Sequence, residues 1–269
     1  MDSLAGERVN AQFWQAGSEV AEYANRRLLP AEAIIMLRHR EPLGRRVLEV
    51  GCGAGRILGY LLALGGEVHG TDISPAMVDY CRRAYPDAIV RVGDLGNLTA
   101  SVDERFDAVV AADNVLDVFD DPGRRRVLAA LHEVLVPAGL LVFSSHNLAY
   151  AQAARGSARS PNGLRTSLGR LLERSPAAAA RGMPRILRRR RNRRRLRQLE
   201  HWAGDYAILN DSAHDYSLLH YYIGGEHQAR QLAEGGYDLL EILELDGEPV
   251  AAGSEGHGPS LYYVARSHG

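Results

Sequence analysis

The sequence predicts an α/β chain built on a mainly parallel, doubly wound sheet. Three observations predict it. Short apolar runs alternate with helical patterns from Arg45 to Ser145, which is how a parallel sheet covered by helices is encoded. A glycine-rich turn follows the first run. The 269 residues are 46% hydrophobic, enough for one well-buried domain with room for an insertion.

In order, VLEV (47–50) reads as the first strand, a helix follows over about Arg56–Leu64, and EVHGTD (67–72) is the second strand. A helix over about Pro75–Ala84 opens on Ser74 as N-cap and Pro75 in the first turn. AIVRVGD (88–94) and FDAVVAA (106–112) are the third and fourth strands; a helix over about Pro122–Leu135 starts after Asp121, and Pro137-Ala138-Gly139 separates it from the fifth strand, LLVFSS (140–145). EHQARQLAEGGY (226–237) is a helix stopped by Gly235-Gly236. DLLEILEL and SLYYVARS then form two strands joined by a Gly/Pro-rich loop, hence antiparallel neighbours. The fold class is thus a Rossmann-like, seven-stranded sheet with an antiparallel last strand, an N-terminal helical cap and an Arg-rich insert between strand five and the last helix. The expected boundaries are a cap over 1–44, a core over 45–147 and 225–269, and an insert over 148–224. Upstream, Glu19–Arg40 reads as helical apart from Pro30, lying over the sheet as a lid, and DYAILNDSAHDYSLLHYYI (205–223) reads as a hairpin around Asn210-Asp211.

The net charge of −1 hides an asymmetry. His146–Leu199 holds fifteen arginines and one acid, Glu173, a formal +14, which leaves −15 for the rest. Nine of those arginines fall within Arg185–Arg197, a pattern that suits a nucleic-acid arm or a solvated helix held by acids of the same chain or of a dimer mate. No apolar residue separates Leu187 from Leu196, so this stretch is not expected to bury a helical face. The absence of lysine fits a coding bias toward GC-rich codons and leaves the clustering unexplained. Two cysteines, Cys52 and Cys81, make no disulfide framework, the amino terminus has no charged-then-apolar leader, and no apolar run reaches the roughly 18 residues of a membrane span; the expectation is a cytoplasmic protein.

The turn VLEVGCGAGRI (47–57) places Gly51, Gly53 and Gly55 at a strand end, where a backbone without side chains can approach a ligand. Asp72, about twenty residues on, stands where an acid can hold both hydroxyls of a ribose. Arg56 occupies the place of the third glycine of a dinucleotide fingerprint, and Glu49 would repel a pyrophosphate. With VLEVGCGAGR, GTD (70–72), VGDL (92–95) and FDAVVAADNVLDV (106–118) in that order, the chain resembles the class I S-adenosylmethionine-dependent methyltransferases over residues 45–147 and again over Glu226–Arg266. The resemblance implies S-adenosylmethionine as cofactor and S-adenosylhomocysteine as product. It places Gly51 and Gly53 against the methionine part, Asp72 on the ribose, Ile73 against the adenine and Asp94 on the adenine amino group, with Glu49, Cys52, Arg56 and Leu95 as further cofactor-binding candidates. Asp113 is a further cofactor or catalytic candidate. Tyr23 suits either the methionine carboxylate or lid packing.

Methyl transfer from a sulfonium is an in-line displacement, so positioning matters most and a base assists a hydroxyl acceptor. His146, just past the fifth strand, is the base candidate. Asn114 and Asn147 at strand ends, with Tyr216, Tyr221 and Tyr222, are candidate walls of the acceptor pocket, although core packing also explains such tyrosines. Asp117 reads as a solvated acid at a helix start, with a pocket acid as the alternative. His214, Asp215, His220 and His227 lack a recognisable metal-ligand spacing, so no metal is expected. The fourth strand ends in Asp113-Asn114-Val115-Leu116, without the proline pair that grips a flipped base, and no Pro-Cys pair is present. The expectation is therefore an O- or N-methyltransferase of a small molecule, in bacterial secondary-metabolite or sugar biosynthesis. RNA methylation docked through Arg185–Arg197, or a non-catalytic cofactor-binding scaffold, are the alternatives, and a homodimer is compatible with the charge asymmetry.

Overall fold

A computed structural model describes residues 4–16, 20–24, 26–158, 176–251 and 253–269 of the chain. Parts of the expected cap (1–3, 17–19, 25) and of the expected insert (159–175) lie outside the described residues. Strands β1 (Arg46–Val50), β2 (Glu67–Asp72), β3 (Ile89–Val92), β4 (Phe106–Ala111) and β5 (Leu135–Asn147) run parallel in the spatial order β3-β2-β1-β4-β5. β10 (Ser260–Ser267) lies antiparallel to β5 and to β9 (Tyr237–Glu244), as the loop-only connection requires.

Among the described residues the sheet has ten strands rather than seven, because residues 201–223 add three. β6 (His201–Trp202), β7 (Tyr206–Leu209) and β8 (His220–Ile223) form an antiparallel run, and β8 then pairs in parallel with the end of β5, His146 against Tyr222 and Asn147 against Ile223. The expected hairpin is thus present as β7–β8, with residues 210–219 as its connection instead of a tight turn at Asn210-Asp211.

Alternation along the strands feeds two cores. Val47, Ala108, Val110, Leu140 and Val142 face one layer, which α3 (Pro30–Arg38), α5 (Leu58–Ala63) and α6 (Pro75–Ala84) cover with Ile35, Leu58, Leu61 and Val78. Leu48, Val109, Leu141 and Phe143 face the other, covered by Val127, Leu128 and Leu131 of α7 (Asp121–Val134) and Leu232 of the closing helix (Gly225–Glu234). Ser74 caps α6 as expected, whereas the cap of α7 is Asp120, whose Oδ1 accepts from Gly123 N at 2.8 Å, one residue before the expected Asp121. Pro137-Ala138-Gly139 does not separate helix from strand: β5 runs through it, Ala138 takes φ 60°, and the register against β4 jumps between Phe106–Leu135 and Ala108–Leu140, which marks a bulge.

At the amino terminus, Asn10 ties α1 (Leu4–Gln15) to two backbone segments, and Glu7 Oε1 accepts from Asp120 N at 3.2 Å. Asn10 Nδ2 donates to Val118 O (2.8 Å) and Leu219 O (2.7 Å), and Asn10 Oδ1 accepts from Leu219 N (3.0 Å). The expected helix over Glu19–Arg40 is instead α2 (Val20–Tyr23) and α3, because Pro30 begins α3 rather than interrupting a longer helix.

The basic helix (Pro176–Leu196) packs without an apolar stripe, held by an acid of the same chain, one of the readings its composition allows. Asp215 accepts from Arg185 Nε (2.8 Å) and from Arg188, Asn192 Nδ2 donates to Asp215 O (3.0 Å) and Ser217 Oγ (2.9 Å), and Leu196 is buried. An acid and an amide thus do what an apolar stripe usually does, while Arg190, Arg191, Arg194 and Arg195 face solvent.

Candidate active site

Every loop at the carboxyl ends of β1 to β5 opens on one cavity of about 400 Å³, within the usual range for small-molecule sites. Sheet order sets the order of its contents. Asp94 and Leu95 follow β3, Asp72 and Ile73 end β2, Gly51 to Gly53 follow β1, Asp113 and Asn114 follow β4, and His146 stands near the end of β5; all of them line the cavity, as do Glu49, Arg56 and Tyr23.

The glycine turn is shaped by contacts that side chains would prevent. Gly51 takes φ 63°, and a Cβ there would stand 2.2 Å from Val115 Cγ2. Gly53 takes φ 52° with its nearest neighbour, Tyr23 Cδ1, 3.8 Å from an added Cβ, so its missing side chain leaves open room in the cavity floor. Asp72 ties the turn to β2: Oδ2 accepts from Gly53 N and Oδ1 from Ser74 N, each at 2.8 Å. Burial pushes the Asp72 carboxyl up, and these two backbone bonds pull it down. Asp94 lines the cavity and accepts from Gly96 N at 2.8 Å through Oδ1.

Glu49 is 3% exposed, and its Oε2 has no hydrogen-bond partner among the described residues. Burial drives its carboxyl well above the ordinary range, with Arg56 opposing. Arg56 is itself committed. It grips Glu32 through both terminal nitrogens (Nη2 to Oε1, 2.7 Å), donates to Arg27 O (3.3 Å) and stands 3.3 Å from Asp113 Oδ2; burial works against its charge, and the Glu32 bond holds its basicity above normal. Asp113 also meets Arg26 at 3.4 Å. Two guanidinium groups thus meet at one carboxylate, which makes Asp113 a charge anchor.

The fourth-strand end contains the residue that sequence reasoning misjudged. Asp117, read as a solvated acid, is 0% exposed. Its Oδ2 accepts from His146 N and from His146 Nδ1, both at 2.7 Å, and its Oδ1 accepts from Ser145 Oγ (2.7 Å) and Arg124 Nη1 (2.5 Å). Arg124 is buried completely and also donates to Gln228 Oε1 (2.7 Å) and Gln231 Oε1 (3.3 Å). Burial raises the Asp117 carboxyl, but Arg124 and His146 outweigh it and hold it below its ordinary value. Asp117 thus holds a His146 proton on Nδ1, and Nε2, which carries the lone pair when the ring is neutral, stands 3.3 Å from Asn114 Nδ2. Asn114, with φ 58°, is fixed by its own N–H to Ser144 Oγ (2.8 Å) and by Nδ2 to Ser260 Oγ (3.1 Å).

The other expected wall residues are not in the cavity wall. Asn147 is 1% exposed and donates to Glu255 O, Tyr221 is fully buried on Asp121 (2.6 Å), Tyr216 lies under Arg189 and Arg193, and Tyr222 packs against His146 and donates to Asp211 (2.7 Å). The cavity wall is drawn instead from His220 and from Trp14 of α1. Trp14, Tyr23 and His214 form an aromatic cluster at this wall, with Tyr23 Oη 3.3 Å from His214 Nε2.

Residues 47–139 match the family model of a methyltransferase domain. Among curated proteins, the chain is 33% identical over 124 residues to a ubiquinone biosynthesis O-methyltransferase of Xanthomonas axonopodis pv. citri, covering 44% of this chain and 51% of that protein. It is 34% identical over 79 residues to the dTDP-3-amino-3,6-dideoxy-alpha-D-glucopyranose N,N-dimethyltransferase of Streptomyces fradiae, 29% of this chain and 30% of that one. Residues 47–139 therefore carry a methyltransferase domain, set in a Rossmann-like fold. The chain's matched part spans about half the length of the ubiquinone relative and less of the sugar relative. The fold agrees over nearly the whole chain with the CcbJ methyltransferase of Streptomyces caelestis (TM-score 0.58, 17% identity, 95% of this chain and 97% of that chain). It also agrees with a TehB-like methyltransferase of Corynebacterium glutamicum (TM-score 0.53, 22% identity, 98% of each chain). Among the described residues, no helix is long and apolar enough to cross a membrane.

Proposed function

We propose that this chain transfers a methyl group from S-adenosylmethionine to an oxygen or nitrogen of a small molecule. The observation that carries the reading is the single cavity that joins a row of acids and a glycine turn, at the β1–β3 side, to a carboxylate-backed imidazole at the end of β5. The cleft fits the cofactor. The unpartnered buried oxygen of Glu49 suits an ammonium group, and the open floor at Gly53 leaves room for a chain without side-chain obstruction. Asp72 would take the ribose, Asp94 and Ile73 the adenine, with Tyr23 closing over the methionine end.

When bound, S-adenosylmethionine supplies an electrophilic methyl carbon on sulfur. The chain's own residues do the rest. Trp14 and Tyr23 cover the cleft and exclude water, Asn114 orients the acceptor edge, and His146 Nε2, held toward the cavity by Asp117, receives the acceptor proton when the acceptor is a hydroxyl. The names of the ubiquinone and amino-sugar relatives support an acceptor of this size, and a bacterial biosynthetic setting is in keeping with them.

Calorimetry tests the reading. We expect S-adenosylmethionine to bind in the low micromolar range, about −8 kcal/mol, and Asp72→Ala to remove most of that affinity. Undiminished affinity in Asp72→Ala, or binding of NAD instead, overturns it.

A further inference from the structure

A second histidine–carboxylate pair stands beside the first. His220, 6% exposed and lining the same cavity, meets Asp211 Oδ2 through Nδ1 at 2.7 Å, and Tyr222 Oη donates to the same oxygen at 2.7 Å. Burial raises the Asp211 carboxyl, yet the His220 and Tyr222 bonds hold it below the carboxylate range, so it stays an acceptor and keeps the His220 proton on Nδ1. The rings of His146 and His220 stack, centroids 4.9 Å apart and planes 27° apart. One nitrogen of each ring and an oxygen of Asp211 lie within 4.8 Å of one another.

Two uses fit such a cluster. A shared metal ion needs lone pairs that converge on one point, and lone pairs in nearly parallel stacked rings run side by side instead. Two neighbouring hydrogen-bond acceptors facing one cavity suit a ligand with two neighbouring donors. We propose that His146 and His220 form a two-point acceptor subsite for a molecule with hydroxyl or amino groups on adjacent carbons, a vicinal diol or an amino alcohol. The inference rests on the methyltransferase reading and narrows its acceptor. His220 Nε2 holds one group. The neighbouring hydroxyl replaces the 3.3 Å bond from Asn114 at His146 Nε2. As its oxygen bonds to the methyl carbon, the electron pair of the broken carbon–sulfur bond stays on sulfur and the hydroxyl proton ends on His146 Nε2. His220 is a specificity residue in this scheme, and the atom methylated is the one bound to His146.

Catechol and phenol differ by the one hydroxyl in question and serve as probes. In the full chain saturated with S-adenosylhomocysteine, ¹⁵N spectra of labelled histidine should place the proton on Nδ1 of both rings. Catechol should shift both Nε2 signals and bind about tenfold or more tighter than phenol. In His220→Ala, and in His220→Asn should the first fold poorly, the two probes should bind within about twofold of each other while S-adenosylhomocysteine affinity holds. Equal affinity of wild type for the two probes, including no binding of either, overturns the subsite. So does a zinc or manganese ion retained through dialysis whose removal by EDTA abolishes the histidine signals' arrangement. Failure of S-adenosylhomocysteine to bind at all would instead strike the methyltransferase reading itself.

Discussion

Asp117 Oδ2 accepts two hydrogen bonds from one residue, the backbone N–H and the ring Nδ1–H of His146, each 2.7 Å long. The carboxylate thereby fixes both the strand end and the direction of the imidazole, and Arg124 and Ser145 hold the carboxylate in turn. We expect Asp117→Asn to lower turnover of a hydroxyl acceptor at least about tenfold with cofactor affinity unchanged, because an amide no longer dictates the tautomer. Equal loss of turnover and cofactor binding would show a purely structural role.

Removing the carboxylate altogether strands a fully buried guanidinium. Asp117→Ala is expected to cost roughly 3–5 kcal/mol in a denaturant titration, since Arg124 keeps only neutral partners.

Acid should act through the same pair. The Asp117 carboxyl titrates below its ordinary 3.8 in the folded chain, so its ionised form favours folding. That contribution is complete above about pH 4 and is lost as pH falls through the lower folded value. The acid limb of a stability–pH curve should flatten in Asp117→Asn and keep its slope in a surface control such as Asp238→Asn.

Glu49 should behave in the opposite sense. Its carboxyl titrates above 4.5 when folded, so the protonated form favours folding, and stability declines as pH rises through the folded value. Without ligand, Glu49→Gln should melt higher than wild type at pH 8, by on the order of 1–3 kcal/mol of relieved burial, and match it near pH 4. Its affinity for S-adenosylmethionine should fall, since the ammonium loses its counter-charge.

The outward arginines can be separated from the inward ones. Serine at Arg190, Arg191, Arg194 and Arg195 leaves the Asp215 and Leu196 contacts intact, so thermal stability should change by only about 0.5 kcal/mol per site. Cofactor and small-acceptor binding should persist. Wild-type RNA binding that weakens about 10³-fold or more between 50 and 200 mM salt, and is abolished in the serine variant, would favour the RNA-docking alternative.

Much of this architecture was legible because it follows from local rules. Strand order and the glycine turn come from apolar periodicity and spacing, and the acids at strand ends reach the cavity because a parallel sheet points them all to one edge. Asp117 was misread because its neighbours in sequence give no hint of Arg124 folding beneath it; a helix-start acid looks the same whether it faces water or a buried guanidinium. His220 and Asp211 were missed for a related reason. Their role depends on β8 pairing with the last two residues of β5, a contact across 74 or more positions that no local pattern encodes. That acids of the same chain could hold the basic helix was legible from its charge; that Asp215 is the acid was not, because residues 185 and 215 meet only in the fold.

That parallel pairing of β8 with β5 has a consequence for how such a chain diversifies. His146 and Asp117 belong to the part of the chain that builds the central sheet, whereas His220 and Asp211 arrive on a segment whose strand pairing with β5 is two residue pairs long. Under the reading proposed above, replacing residues 201–223 redraws the acceptor side of the cavity while the His146–Asp117 pair stays where β5 ends. Chains with the same core and different inserts at this place should keep one chemistry and differ in what they methylate.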